Sequence, residues 1–514
     1  MLIRAIASSW LKLNVLCAFP ASAVNPHPRR PLQADHGPQP AAYRLPFVPK
    51  SWNIAAMKVA FAKFSAFFSR LVMALLAVAA LALLLFGHKP TAYHLPNGQR
   101  VHGRIVVTFW ENWTRFEEAA MRDIVNKFNM SQHRIFVHMV SVSQADLKTV
   151  ISVAGGDPPD IVVLWSGDMG AFIGHHALTS LQPMVRAGIV TPHTYVPYVW
   201  KVCAPFGKLY ALGATPETCA LYWNKTMFAQ AGLNPNQPPT TLRQLDAYAR
   251  KLTIIGKHGR LIRAGFLPTE PGWWNSFWGV YFGNHLYNNK TGFFNINTPQ
   301  QIAAYRWFQS FSREYGYRAV DNFQSGFGQF NSPLNAFMCG KVAMELQGPY
   351  FANFIRRNKK SLVGHFGVAP FPCAHLPPGT DTYGDVDVWA IPRHARHVQA
   401  AMQVLAFFIR QENIEKLDDL HCKASPLTAV SRSFIRHNPN PYIMVFENSM
   451  RHQHVAITPP SPVWMRVNSQ LNVMAQRIWL GAPVKKSLAY TQHLVNRWVR
   501  TSQRIAAQRA RENP

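Results

Sequence analysis

The first regular pattern of apolar and polar positions begins after residue 103. Three apolar runs, "RIVVTFW" (104–110), "RIFVHMVSV" (134–142) and "DIVVLW" (160–165), have the length and the β-branched content of buried strands. The segments between them, 114–128 and 144–156, place apolar residues at helical spacing, and the second ends in two glycines. This alternation predicts a parallel sheet with right-handed crossovers.

Two of these strand ends carry an aromatic residue near an acid. Trp110 and Glu111 end the first run, and "WSGD" (165–168) ends the third. Ligands bind beyond the carboxyl ends of the strands in open sheets, so we expect Glu111 and Asp168 to face a ligand. Each element also has a purely structural interpretation. Trp165 is a candidate core residue, Asp168 is a candidate helix N-cap, and Trp113 fits either the core or the site.

A second α/β region follows the first. "KLYALGAT" (208–215) and "CALYWNK" (219–225) are predicted strands joined through "PET" (216–218), and a helix is expected from Thr241. Another predicted strand, "RAGFLP" (263–268), leads into further helical segments. A single core rarely grows beyond roughly 250–300 residues, so this chain of 514 residues predicts two α/β lobes.

The segment "PGWWNSFWGVYFGN" (271–284) is unusually rich in tryptophan. Trp273 and Trp274 are neighbours, so their side chains are expected to point in opposite directions and only one of them to face a ligand. Trp278 begins an apolar run, and we expect it to pack in the core of the second lobe.

The first hundred residues have a different character. An uncharged apolar run at 71–87 follows Lys58, Lys63 and Arg70, and its length is near the lower limit of roughly 17 residues for crossing a bilayer. Basic residues on its N-terminal side predict export of everything that follows. The run is either an uncleaved membrane anchor or a signal peptide. We therefore assign 1–102 as a leader with a targeting or anchor segment.

Charge adds one further observation. The net charge of +29 indicates an anionic partner or a general basic bias of the proteome. The densest basic groups lie at 356–360 and in the tail 497–511. The other basic residues are scattered, so no continuous stripe for nucleic acid is expected.

Cysteine usage gives no sign of a metal centre. Five cysteines follow the leader without a CxxC motif, so neither a metal nor a cofactor is expected. Cys203 and Cys219 are close enough in sequence for a disulfide in an exported protein, and buried unpaired thiols are the alternative.

Several segments in order resemble one known family. "GDPPDIVVLWSGDMGAF", "GKLYALGATPETCALYWNKTMFAQAGL", "PPTTLRQLDAYARKLT", "GKVAMELQGPYF" and "VAPFP" resemble extracellular solute-binding protein family 1. These proteins are the sugar-binding components of bacterial ABC importers and are similar to maltose-binding protein. The resemblance implies a class II periplasmic-binding-protein fold, with two lobes joined by hinge strands. It places lobe 1 at 103–216 and 366–424, and lobe 2 at 217–365 and 425–510.

The resemblance also implies ligand-binding positions in the cleft between the lobes. Asp385 stands where the family usually has glycine, which leaves that wall of the cleft open to doubt. Together with the residues argued above, the candidate ligand-binding residues are Trp110, Glu111, Trp113, Asp168, Glu217, Glu270, Trp273, Trp274, Tyr350, Asp385 and Trp464.

These positions predict sugar binding without catalysis. Aromatic rings suit the apolar face of a sugar, and carboxylates accept hydrogen bonds from its hydroxyls. The acids favour a neutral sugar, while an acidic sugar or a glycerol phosphate derivative remains an alternative ligand. A glycosidase that uses paired acids and a single-strand nucleic-acid binder are the alternative classes. The expected partners are a carbohydrate, ABC permease subunits and the membrane through the N-terminal segment, with no nucleic acid and a monomeric state.

Overall fold

The computed structural model describes residues 101, 103–114, 116–375, 377–378, 380–451 and 454–512. These residues belong to one compact unit, Pro90–Pro514. The predicted anchor segment at 71–87 lies outside the described residues. Within the described part of the chain, no helix is both long enough and apolar enough to cross a membrane.

The strands are numbered in chain order. They are β1 (Ile105–Glu111), β2 (Ile135–Ser141), β3 (Ile161–Trp165), β4 (Ala211–Thr218), β5 (Ala220–Asn224), β6 (Ile254–Ile255), β7 (Leu261–Phe266), β8 (Val342–Gln347), β9 (Phe366–Pro370), β10 (Thr382–Ala390) and β11 (Val455–Ala456).

The helices are numbered in the same way. They are α1 (Phe116–Ser131), α2 (Ala145–Gly155), α3 (Ser166–Gly174), α4 (Gln182–Arg186), α5 (Pro197–Cys203), α6 (Lys225–Gln230), α7 (Leu242–Leu252), α8 (Pro299–Tyr315), α9 (Tyr317–Gln324), α10 (Phe351–Asn358), α11 (Val398–Phe408), α12 (Gln411–His421), α13 (Arg432–His437), α14 (Ile443–Met450), α15 (Trp464–Trp479) and α16 (Val484–Glu512).

The first sheet is the centre of the first lobe. It has the strand order β11-β10-β3-β1-β2, and a sixth strand, β4, lies outside this order and pairs with β10. Strands β1, β2 and β3 are parallel to one another, which confirms the parallel arrangement predicted from their alternation with helices. Strand β10 runs antiparallel to both β3 and β4.

The second sheet has the order β6-β7-β8-β5-β9 and forms the centre of the second lobe. The chain passes between the sheets twice through short links. Strands β4 and β5 are separated by Cys219 alone, and β9 and β10 are joined by the segment that follows Pro370. Consecutive strands in different sheets supply the connections that a two-lobed fold needs.

Local sequence explains where several helices of the second lobe begin. The Thr241 hydroxyl accepts a hydrogen bond from the backbone N–H of Gln244, so this residue caps α7 as expected. Thr298 caps α8 by accepting from the backbone N–H of Gln301, and Pro299 occupies the first turn.

Two hydrophobic clusters form the core, one centred on each sheet, and the first also includes residues of β5 and β9 from the second sheet. Residues of α14 belong to the cluster of the first sheet, whereas α15 and the first half of α16 contribute to the cluster of the second. Trp278 is fully buried in the second cluster, which confirms its predicted core position. The lobe boundaries given above stay a prediction, the return of the chain near residue 425 included.

The two cysteines considered for a disulfide remain thiols. Cys203 and Cys219 are free and buried, so the alternative of buried thiols holds and the disulfide is absent. Cys422 is also free and buried, Cys339 is free and exposed, and the buried Cys373 thiol donates to the Asp381 carbonyl oxygen at 3.4 Å.

Candidate functional site

The carboxyl end of β1 carries the first predicted acid. Glu111 is fully buried, and its Oε1 accepts a hydrogen bond of 2.8 Å from the backbone N–H of Trp113. Its Oε2 has no hydrogen-bond partner among the described residues. Burial raises the pKa of Glu111 well above its usual range. Glu111 is therefore a buried acid with one acceptor oxygen unused among the described residues.

Trp113 links this strand end to β10. Its indole Nε1 donates to Asp387 Oδ2 at 3.4 Å, and its ring meets the His421 ring edge-on at 4.8 Å between centroids. Since Trp113 is buried in the first core cluster, its core interpretation is confirmed, and its place in the ligand site stays a prediction.

A charged group lies where β4 and β10 pair, and we name its four members Glu217, Asp385, Asp387 and Lys423 the carboxylate–lysine group. The strand register sets Glu217 opposite Asp385. Lys423 Nζ lies 3.1 Å from Asp387 Oδ2 and 3.7 Å from Glu217 Oε2. It also donates to the Thr215 hydroxyl at 3.1 Å. Two acids therefore contact one buried lysine, and the charge of Lys423 also acts on the third acid, Asp385.

Burial and charge act on these groups in opposite directions. Burial raises the pKa of Glu217 to about 8, although Lys423 lowers it. Burial disfavours the charge of Lys423, but Asp387 and Glu217 outweigh that effect and raise the pKa of the lysine. Lys423 is consequently a fixed cation in this site.

Asp385 takes part in this group despite the family's usual glycine. It accepts hydrogen bonds from the Ser166 hydroxyl and from the Tyr383 hydroxyl, the latter at 3.4 Å. Burial also raises its pKa. Ser166 is the first residue of α3, so its hydrogen bond to Asp385 links β10 to the helix that carries Asp168.

Asp168 lies in the first turn of α3. The N-cap of this helix is Trp165, without a side-chain cap bond, so the interpretation of Asp168 as the cap residue is wrong. Its side chain is buried, and Oδ2 has no hydrogen-bond partner among the described residues. Burial raises the pKa of Asp168 to about 7, and Asp146 and Asp385 add to this effect. It is a buried acceptor with unused capacity.

Close packing holds α3 against the segment that leads to Trp464. A Cβ atom added at Gly170 would lie 2.6 Å from the backbone nitrogen of Ser461, and one at Gly174 would lie 2.6 Å from the Pro462 ring. Glycine is therefore needed at both positions, because the helix approaches that backbone directly.

Aromatic side chains lie beside the carboxylate–lysine group, and we name Trp273, Trp274, Phe330 and Tyr350 the aromatic group. Trp273 meets Phe330 edge-on at 4.8 Å and lies 6.5 Å from Tyr350, measured between ring centroids. Lys423 Nζ lies 5.7 Å from the centroid of the Tyr350 ring, so the aromatic group adjoins the carboxylate–lysine group.

The two neighbouring tryptophans have different surroundings. Trp274 is 6% exposed, and its Nε1 donates to the Leu346 carbonyl oxygen at 3.2 Å. Trp273 is 39% exposed. Only the Trp273 ring is open to a ligand in this arrangement.

Glu270 immediately precedes the tryptophan segment 271–284. It is buried, and its Oε2 accepts from Gln324 Nε2 at 3.0 Å. Burial raises its pKa to about 7. The charge of Glu270 raises the pKa of Glu345. Gln347, two residues after Glu345 in β8, accepts a hydrogen bond from the Tyr350 hydroxyl at 3.3 Å. Glu270 thus reaches the aromatic group only through other residues.

Trp464 and Trp110 are also not brought into these groups by direct contact. Trp464 is buried and stacks on Phe294 with 6.2 Å between ring centroids, so it packs in the second core. Trp110 is half-buried and packs against the first core.

Sequence reasoning missed Trp165 and Lys423. Trp165, assigned above to the core, is 57% exposed at the end of β3, so that interpretation is wrong. Its position beside "SGD" at a strand end was the available signal. Lys423 carried no local signal, because its partners come from strands far away in sequence.

A separate cavity of about 220 Å³ lies between the loop 277–289 and the segment 454–460. Asp381, His285 and His454 are among its lining residues, and none of the predicted site residues lines it. No cluster of three or more metal-ligating side chains occurs in the described part of the chain.

The fold and the position of these groups define a binding protein with two lobes. Residues 114–415, more than half of the chain, match the family of bacterial extracellular solute-binding proteins, and the chain belongs to this family.

Similar proteins are known both as sequences and as structures. A binding protein of Brucella abortus (strain 2308) is 26% identical over 213 residues, 40% of this chain and 48% of that protein. The chain thus spans about half the length of this curated relative. The sn-glycerol-3-phosphate-binding periplasmic protein UgpB of Pectobacterium atrosepticum is 22% identical over 324 residues, 60% of this chain and 70% of that protein.

Among solved structures, CpMnBP1 with mannobiose bound has a TM-score of 0.67 and 25% identity, over 76% of this chain and 99% of that chain. The sugar-binding protein MalE of Xanthomonas citri has a TM-score of 0.65 and 17% identity, over 78% and 99% of the two chains. These similarities establish the class II periplasmic-binding-protein fold, with two sheets flanked by helices.

Proposed function

We propose that this protein is the substrate-binding component of an ABC importer and binds a carbohydrate between its lobes. The observation that carries the proposal is the acceptor oxygen left without a partner among the described residues on each of two buried acids, Asp168 and Glu111, together with the accessible ring of Trp273. The solved structure with mannobiose, a bound sugar in a protein of the same fold, supports the ligand class.

Sugar chemistry fits both halves of the site. An ionised carboxylate accepts hydrogen bonds from two hydroxyls, and these charge-assisted bonds are about twice as strong as neutral ones. An aromatic ring covers the C–H face of a sugar with little loss of conformational entropy. Acids on one lobe and rings on the other would make the closed state the one that binds.

The proposed ligand residues follow from exposure and unused bonding capacity. We assign direct contact to Asp168, Trp273 and Trp165, with Glu111 and Tyr350 at the base of the cleft. Glu217, Asp385 and Trp113 would shape the site through their neighbours. Glu270, Trp274, Trp110 and Trp464 remain candidates whose described contacts are with the protein itself.

Charge favours a neutral sugar over an anionic ligand. The carboxylate–lysine group holds three acids and one lysine, and Asp168 adds a fourth acid. A phosphate group would have to approach these acids with a single cation to offset them. The similarity to UgpB, a glycerol-3-phosphate-binding protein, keeps the anionic alternative within the experiment below.

We place the protein outside the cytoplasm, with ABC permease subunits as its partner and the segment 71–87 as either anchor or signal. We expect a monomer that binds its sugar without turnover. The lobe boundaries 103–216 with 366–424 and 217–365 with 425–510 belong to the same proposal.

The test is a thermal-shift screen over neutral, acidic and phosphorylated sugars, followed by analysis of the mixture for cleavage products. A rise in Tm with a neutral oligosaccharide and no products is the expected result. Small-angle scattering with and without that sugar should then show compaction, because a ligand that contacts both lobes favours closure. Cleavage of the sugar would contradict the proposal, and so would an unchanged radius at saturation.

A further inference from the structure

The C-terminal helix α16 has two faces of opposite character. One face is buried against the second core and consists of Val484, Leu488, Thr491, Val495 and Val499. The intervals of three and four residues match the helical period, so these side chains lie along one side of the helix. This packing fixes which side of α16 is turned to solvent.

The solvent side carries a row of basic residues, which we name the basic stripe. Its members are Lys486, His493, Arg497, Arg500, Arg504 and Arg511. All six are exposed, and their spacing repeats the helical period on the side opposite the buried face. The basic residues of 497–511, one of the densest basic groups of the sequence, become a row once the helix forms.

The stripe is long and lacks acidic neighbours. Between Lys486 and Arg511 the helix rises by about 1.5 Å per residue, so the row extends roughly 37 Å. Glu512 is the only acidic residue of α16. None of the ion pairs between described residues involves a member of the stripe. Its positive field consequently acts outward.

Sugar binding makes no use of this surface, which lies on a different element from both groups of the site. A straight row of cations complements a flat anionic surface better than it complements a small ligand. This inference rests on the location proposed above, outside the cytoplasm and beside a membrane with its permease partner. Acidic phospholipid headgroups form a flat anionic surface that attracts nearby Lys and Arg side chains. Exposed Tyr490 lies in the same row and suits the headgroup region, since its ring is apolar and its hydroxyl polar.

We propose that the basic stripe of α16 docks the protein on a membrane surface that contains anionic phospholipid. Docking would orient the two lobes relative to the bilayer and concentrate the protein at its surface. The interaction is electrostatic, so it weakens as salt shortens the Debye length.

The test compares three full-length proteins that share the same N-terminal segment. They are the natural protein, a stripe variant with Arg497→Glu, Arg500→Glu and Arg504→Glu, and a control variant with Lys257→Glu, Lys359→Glu and Lys360→Glu. The control changes three exposed lysines of other elements and therefore alters the net charge by the same amount. Each is mixed with vesicles of phosphatidylcholine alone or with phosphatidylglycerol added.

The natural protein and the control should partition about a hundredfold more strongly onto the anionic vesicles than the stripe variant does, and salt should remove the difference. Hydrogen exchange over 486–511 provides a second measurement on the same samples. Exchange in this helix reports on the stripe even where the N-terminal segment holds every variant on every vesicle. Anionic lipid should slow the exchange in the natural protein and in the control variant, and should not slow it in the stripe variant.

Equal partition and equal exchange on both vesicle types would overturn the proposal. So would equal losses in the stripe and control variants, since that result would reflect net charge alone. Stripe-dependent binding to double-stranded DNA without binding to vesicles would also overturn it, in favour of a nucleic-acid partner.

Discussion

The carboxylate–lysine group and the aromatic group adjoin each other at Lys423 and Tyr350, but they are built differently. In the charged group, most polar atoms are occupied by one another: Lys423 contacts two acids and the Thr215 hydroxyl. In the aromatic group, Trp273 keeps more than a third of its surface exposed while its neighbour Trp274 is buried. The polar atoms of the charged group are thus bonded mainly within the group, whereas the aromatic group keeps one ring exposed.

This difference separates stability from binding. Buried charges that satisfy one another are strongly coupled, so removing one leaves the others unpaired in an apolar setting. In the aromatic group, Trp274 and Tyr350 are hydrogen-bonded, but the exposed Trp273 ring can be lost without leaving a buried charge unpaired. We therefore expect changes within the charged group to affect folding, and changes of exposed or unused groups to affect affinity.

The largest effect should come from a buried ring of the tryptophan segment. Trp278→Ala removes a side chain that packs on Phe266, Trp307 and Phe371. The unfolding free energy should fall by about 4 kcal/mol, because the cavity adds to the lost burial. Chemical denaturation measures this value. Trp165→Ala is the control, and an equal loss there would mean that exposure does not distinguish these rings.

Next in size is the loss of the buried cation. Lys423→Met leaves Asp387 and Glu217 without their counter-charge, so the unfolding free energy should fall by about 3 kcal/mol. Lys416→Met removes an exposed lysine that lies 3.7 Å from Asp123, and it should change stability by less than about 1 kcal/mol. A tolerated Lys423→Met would show that the three acids accept protons instead and that the lysine is dispensable.

The elements around these groups were predictable where the signal is local. Strands β1, β2 and β3 are continuous apolar runs between helical segments, so their parallel pairing followed from the pattern. Thr241 was placed correctly because a cap acts within its own first turn. Trp278 was placed correctly because it opens an apolar run.

The charged group was only partly predictable, since it depends on strand register. Lys423 lies 36 residues after Asp387 and 208 residues after Thr215. The β4–β10 pairing brings these partners together, and no local pattern reveals which residues will face each other across it. The exposure of Trp165 is unpredictable for a related reason. The sequence of an apolar strand does not show whether another element packs over its last side chain.

A third effect concerns the unused acceptor. Asp168→Ala should weaken sugar affinity by about 10–100-fold, because charge-assisted hydrogen bonds to hydroxyls contribute roughly 1.5–3 kcal/mol. Titration calorimetry with the sugar found by the screen measures this loss. Asp157→Ala removes an exposed acid paired with Arg396 and should leave affinity unchanged. Normal affinity in Asp168→Ala would place the ligand away from α3.

A fourth and smaller effect tests the open side of the aromatic group. Trp273→Ala should lower affinity by about tenfold, within the 1–3 kcal/mol known for rings stacked on bases, and should reduce the fluorescence change on sugar addition. Trp274→Ala should instead lower the Tm, since its ring is buried and its Nε1 is hydrogen-bonded. Loss of the fluorescence change in Trp274→Ala with an unaltered Tm would reverse the roles of the two rings.

The smallest effect is a dependence on pH that runs in opposite directions for folding and for binding. The pKa of Asp168 is about 7 in the folded protein, because burial and the charges of Asp146 and Asp385 oppose its ionisation. In the unfolded chain an aspartate titrates near pH 4, so the folded state holds this proton more tightly. The favourable contribution to folding is therefore complete below about pH 4 and is lost as the pH rises through about 7.

Sugar affinity should rise over the same upper range, by about threefold between pH 6 and pH 8, because the ionised carboxylate is the stronger acceptor. Calorimetry across this range checks the affinity, and Asp168→Asn should flatten the profile because an amide does not titrate. An affinity that stays level in the natural protein, or a slope that Asp168→Asn retains, would assign the titration to another acid such as Glu217 and leave Asp168 outside the ligand's reach.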